Sequence, residues 1–184
     1  MKPWYRLNLS VDNAIQDNFV FPEITSLMQI CRYRASEIFT ADWLTYMKSH
    51  NLTVDRAYIF IRKNLQKDFS AHIDSTQDGK PDPVSLNWVH GNDDRDMVWY
   101  HTNFDELEFK VTPIGTRYYE APISKLTEID RCRIGNQITL VNTDTLHALA
   151  HGQHARCCVT ARLLLDPNTT WNQFVEQHSH LLNL

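Results

Sequence analysis

Gln137-Ile138-Thr139-Leu140-Val141-Asn142, Leu146-His147-Ala148-Leu149-Ala150 and Arg156-Cys157-Cys158-Val159-Thr160-Ala161-Arg162-Leu163-Leu164-Leu165 follow one another closely in the chain. Each run is rich in apolar and β-branched residues and is bounded by turn material, first Asn142-Thr143-Asp144-Thr145 and then Gly152-Gln153. Such runs read as strands, and nothing helical separates them. Strands joined by short turns pair antiparallel, because a parallel crossover needs a long connection. This stretch therefore predicts an antiparallel sandwich or barrel.

Working toward the amino terminus, Arg56–Arg62, Val84–His90, Met97–Thr102 and Leu107–Val111 repeat the strand pattern. Helical spacing marks Pro22–Ile30 and Ala35–His50, the second with Ile38, Phe39, Trp43, Leu44 and Met47 on one stripe and a stop at His50-Asn51. A last amphipathic run, Thr169–Leu184, carries Trp171, Phe174, Val175, His178 and Leu181, with Asn168 or Thr169 as N-cap. The expected protein is mainly β with flanking helices, a single domain over 1–184. Residues 1–54 form an amino-terminal helical support on one sheet, 55–165 the β core and 166–184 a carboxy-terminal helix.

The chain has 184 residues, 42% hydrophobic and 22% charged, which is ordinary globular usage and excludes a disordered or fibrous protein. Eighteen basic against 22 acidic residues give a net charge of -4, and no basic block stands out. No nucleic-acid partner is therefore expected. No apolar run approaches the roughly 18 residues of a membrane span, and the first residues lack the apolar stretch of a secretory signal, so a cytoplasmic protein without membrane association is expected. Cys31, Cys132, Cys157 and Cys158 show no CxxC spacing and read as reduced thiols.

The chemistry concentrates in Ala71-His72-Ile73-Asp74-Ser75. In an extended segment, residues two apart share a side, so His72 and Asp74 present an imidazole and a carboxylate together. Two ligands on one strand cannot close a metal site, and His147 is the candidate third. Two imidazoles and one carboxylate on one face of an octahedral ion leave positions open, the arrangement of non-haem Fe(II) oxygenases. Beyond the turn after His147, Arg156 offers a planar guanidinium suited to a dicarboxylate. Arg162, Cys158 and Thr160 share its parity along the strand.

The runs AHIDS, VSLNWVHG, MVWY and ITLVNTDTLHALAHGQHARCCVTARL resemble the 2-oxoglutarate and Fe(II)-dependent oxygenases, in particular their short hydroxylase-like members. The resemblance spans roughly Arg56 to Leu165 and rests on motif positions rather than continuous similarity. It implies a double-stranded β-helix, or jelly roll, with helices on one sheet. It implies Fe(II) at His72, Asp74 and His147, the catalytic and metal-binding triad, with 2-oxoglutarate and O₂ as co-substrates and ascorbate as an auxiliary reductant. Arg156 matches the residue that grips the far carboxylate of 2-oxoglutarate. Arg162 competes for that role, since some members place their anchor further from the distal His. Tyr58, Asn87 and Tyr100 stand where the family places polar contacts to 2-oxoglutarate. Leu146 departs from the Pro often found before the distal His.

The implied activity is a dioxygenase that hydroxylates a C–H bond of an amino acid, small metabolite or peptide side chain, releasing succinate and CO₂. Two other readings stand beside it. One is a non-catalytic jelly-roll module that binds metal. The other is a zinc hydrolase on the same three ligands, for which Glu106 and Glu108 are general-base candidates by residue type.

Overall fold

In chain order the strands are β1 (Trp4–Leu7), β2 (Met28–Arg34), β3 (Val54–Arg62), β4 (Ser70–Asp74), β5 (Val84–His90), β6 (Asp96–His101), β7 (Glu108–Val111), β8 (Arg117–Pro122), β9 (Thr127–Arg133), β10 (Thr139–Asn142), β11 (His147–Leu149), β12 (Arg156–Leu163) and β13 (Leu182–Asn183). The helices are α1 (Ala35–Ile38), α2 (Ala41–Ser49) and α3 (Trp171–Gln177). The structure is a computed structural model that describes residues 1–23, 27–63, 68, 70–74, 82–91, 95–101, 107–112, 115 and 117–183.

Two antiparallel sheets form, one ordered β13-β1-β10-β5-β12-β3-β2 and the other β7-β8-β4-β11-β6-β9. The core strands alternate between them from β3 to β6 and again from β9 to β12: β3, β5, β10 and β12 lie in the first sheet, and β4, β6, β9 and β11 in the second, where β6 and β9 pair. The alternation brings the chain back and forth across a shared interior. There the Trp99 indole of β6 donates to the Asn142 carbonyl of β10 at 2.9 Å.

The two faces of the seven-stranded sheet differ in chemistry. On β12, Cys157, Val159, Ala161 and Leu163 turn outward and pack with Ile59, Ile61 and Leu86 against Ile38, Phe39, Trp43 and Met47 of the amino-terminal helical region and Trp171, Phe174 and Val175 of α3. Arg156, Cys158, Thr160 and Arg162 turn inward to a cleft between the sheets. The period of two makes this division, and the outer row supplies the apolar burial that holds the sheet.

Several sequence expectations are corrected. Met28–Ile30 is strand, not the end of a Pro22–Ile30 helix, and residues 24–26 lie outside the described ones. Short apolar runs fit either period, and pairing of β2 with β3 from Met28↔Arg62 to Arg34↔Arg56 decides for the strand. The Ala35–His50 helix is broken at Phe39-Thr40, where the Thr40 hydroxyl caps α2 by accepting from the Trp43 amide at 3.2 Å. Its end is as expected, with Asn51 in the left-handed region at φ 62°. Residues 1–54 thus give two strands to the large sheet as well as helices. The carboxy-terminal helix is shorter than 166–184, is capped by Thr170, and is followed by β13 pairing with β1.

Burial pushes the Cys132 and Cys157 thiols up to about 11. An unfolded chain ionises them near the ordinary value of about 8.5. Their contribution to stability is therefore present below that value and is lost as pH rises toward 11. We expect the urea midpoint to fall more steeply between pH 8 and pH 10.5 in the wild type than in a Cys132→Ala/Cys157→Ala variant. Parallel profiles would show that these thiols do not titrate late.

Candidate metal centre

His72 and His147 are direct cross-strand partners in the β4–β11 pair. Opposed residues in an antiparallel ladder hold their side chains close on one face. The two rings lie 4.3 Å apart between centroids. Asp74, two residues along β4, points the same way, and its Oδ1 is 3.6 Å from His72 Nε2. One ligand atom from each of the three residues falls within 4.8 Å of the others. Among the described residues this is the one group of three metal-binding side chains so gathered.

His147 and Asp74 are each held by a second polar contact. His147 Nδ1 donates to the Thr145 carbonyl at 2.9 Å, which leaves Nε2 as the lone-pair nitrogen. Burial foremost, then His72, lowers His147 to about 4, so the ring is neutral at physiological pH and fit to ligate. Burial alone would raise the Asp74 carboxyl, but Arg162, His147 and His72 together outweigh it and hold it below its ordinary value. Arg162 grips Asp74 Oδ2, which leaves Oδ1 facing His72. The donor set fits a facial divalent site: two imidazole nitrogens and one carboxylate oxygen on one side of a cleft.

Arg162 is buried at 7% exposure and also reaches Asp82 Oδ2 at 3.3 Å and Thr143 Oγ1 at 3.1 Å. Thr143 in turn donates to the Asp82 carbonyl, and its own carbonyl accepts from the Asp74 amide at 2.9 Å. Burial raises the Asp82 carboxyl, with Arg162 opposing. Asp82 and Thr143 carry no local motif, and only the approach of the segments before β5 and after β10 reveals them.

The cleft has a volume of about 280 Å³ and is lined by the triad together with Tyr58, Asn87, Arg156 and Arg162. Tyr58 and Asn87 are nearly buried on β3 and β5, and the Ser85 hydroxyl donates to Asn87 Oδ1 at 3.2 Å. Tyr100 is a correction. It lies on the face of β6 away from the cleft and packs with Ala71, Ala121, Leu146 and Ala148, so it is not placed to touch a ligand beside the triad. Cys158 and Thr160 line the cleft as their parity requires. Of the hydrolase candidates, Glu108 pairs with Lys110 and does not line the cleft. Glu106 and most of the Ser75–Pro83 loop lie outside the described residues.

The turn that leads into Arg156 is tightly fitted. A Cβ on Gly152 would collide with Cγ, Nε and Cδ of Arg95, a fully buried side chain that donates to the His154 carbonyl at 2.8 Å. Because the collision is with the stem of Arg95 and not its tip, Gly152→Ala is expected to destabilise the fold by about 1–3 kcal/mol. The same substitution in an Arg95→Ala background should cost less, as read by urea denaturation. Equal costs in both backgrounds would show that Arg95 is not what Gly152 accommodates.

No protein-family model matches the chain, and no curated protein matches it in sequence. No helix among the described residues is long and apolar enough to cross a membrane.

Proposed function

We propose that the protein is a 2-oxoglutarate- and Fe(II)-dependent dioxygenase that hydroxylates a C–H bond, built on a double-stranded β-helix. The single observation that carries the reading is the convergence of His72, Asp74 and His147 in one cleft that Arg156 also lines. The jelly-roll reading draws support from the distribution of the eight core strands between the sheets, with the small sheet ordered β4-β11-β6-β9 and the large one β10-β5-β12-β3 over that core.

Bound Fe(II), with 2-oxoglutarate and O₂, supplies the oxidation, giving hydroxylated product, succinate and CO₂. His147 would offer its neutral Nε2, His72 a ring nitrogen and Asp74 Oδ1. Arg162 is taken up by Asp74, Asp82 and Thr143, so its role in this reading is to orient the ligand carboxylate. Arg156 lines the same cleft and matches the resemblance's anchor for the far carboxylate of 2-oxoglutarate, for which its fork geometry suits two carboxylate oxygens. Tyr58 and Asn87 present a hydroxyl and an amide to the same cleft, where they orient the co-substrate.

The test is anaerobic addition of Fe(II) and 2-oxoglutarate, reading the weak visible metal-to-ligand charge-transfer band. Its appearance in the wild type, with succinate released on admitting air and substrate, supports the oxygenase. No band, together with tightly held zinc on metal analysis, would favour the hydrolase instead.

A further inference from the structure

The carboxylates that line the cleft are unequally matched. Arg62 pairs with Asp68, and Arg162 with both Asp74 and Asp82. Among the described residues Glu120 has no arginine partner: it accepts from the Ser70 hydroxyl at 3.1 Å and lies 3.7 Å from Lys110 Nζ. Lys110 is 37% exposed and sits closer to Glu108, so its hold on Glu120 is a solvent-screened contact of little strength. An incoming cation can displace it while Lys110 keeps Glu108.

Glu120 is also well placed. It stands directly across from His72 in the β4–β8 register, and Tyr118 stands across from Asp74. Its carboxylate therefore lines the cleft beside two of the candidate ligands. Met28, Ile30 and Phe60 of the large sheet give the same cleft an apolar wall. A cleft of about 280 Å³ that also admits 2-oxoglutarate suits a group of amino-acid size.

We propose that Glu120 receives a substrate ammonium group, so that the C–H donor is an amine-bearing aliphatic molecule of amino-acid size whose stem lies on Met28, Ile30 and Phe60. Naming this ligand a substrate rests on the oxygenase reading; the amine site itself does not. The charge is recognised by Glu120 and the stem by apolar contact, and the geometry brings carbons close to the ammonium nearest to the triad.

Calorimetry on the metal-free protein at neutral pH, with n-pentylamine, pentan-1-ol and pentanoate as probes, tests the site without iron. Pentylammonium is expected to bind about tenfold or more tightly than pentanol, and any pentanoate binding, which Arg156 would support, to be unchanged in Glu120→Gln. The near-isosteric Glu120→Gln should erase that preference. Lys110→Met should strengthen pentylammonium binding by removing the competing cation, an effect that a merely structural role for Glu120 would not produce. No binding of pentylammonium, equal binding of amine and alcohol, or a preference that survives in Glu120→Gln overturns the proposal. A charge-transfer band with no amine site overturns this inference alone. Amine binding without a band overturns the oxygenase reading and leaves the amine site standing.

Discussion

His147→Ala is expected to abolish the Fe(II) and 2-oxoglutarate charge-transfer band and succinate release together. The reason is topological. His72 and Asp74 both come from β4, and one strand cannot surround an ion; His147 brings the third ligand from β11, directly opposite His72. The ring is neutral and buried, held by one bond to the Thr145 carbonyl. Its removal leaves no orphaned charge, so loss of metal binding should far exceed loss of fold stability. Arg156→Met should act differently. It leaves all three ligands in place, so Fe(II) affinity persists while the 2-oxoglutarate concentration for half-maximal band intensity rises about a hundredfold, the worth of a charge-assisted pair of hydrogen bonds. A band that survives in His147→Ala, or a 2-oxoglutarate requirement unchanged in Arg156→Met, would refute these assignments.

Arg162→Met is expected to be the most destabilising single change near the cleft. The side chain is buried and bridges Asp74 and Asp82, while Thr143 takes a further hydrogen bond from it. Its own hydration is lost on burial, and the two carboxylates more than restore the charged form, so its basicity is raised. Removing it leaves two part-buried carboxylates close together, with only the field of Arg56 still favouring the charged form of Asp82, and breaking a buried pair costs up to about 3–5 kcal/mol. Asp82→Asn in the Arg162→Met background should recover part of that loss, because one of the two uncompensated charges is gone. Urea denaturation of the four proteins of this cycle reads the coupling directly. Additive effects, or an Arg162→Met variant as stable as the wild type, would show that the bridge contributes nothing.

Most of the β core was legible because period-two alternation and short turns carry it. Val84–His90 coincides with β5, and Arg56–Arg62 lies within β3. The strands that escaped notice are those whose identity depends on a neighbour. Met28–Arg34 fits a helix in isolation and becomes a strand by pairing with β3. Arg117–Pro122 and Thr127–Arg133 carry exposed charges that mask their alternation. Tyr100 misled for a related reason. Strand position alone does not say which face a side chain takes, and the register shift between Trp99 and Tyr100 shows how locally that is decided.

The sequence by itself determined the antiparallel β class, the outward apolar and inward polar rows of β12, and the nearness of His72 to Asp74, since each follows from the spacing of side chains along one extended strand. Only the tertiary structure decided the rest. The β4–β11 register set His147 opposite His72, and the crossing between sheets set Arg162 on Asp74 and Asp82. The β4–β8 pairing placed Glu120 and Tyr118 beside the triad. These are contacts between strands far apart in the chain, and their partners are chosen by register and burial, which no local spacing encodes.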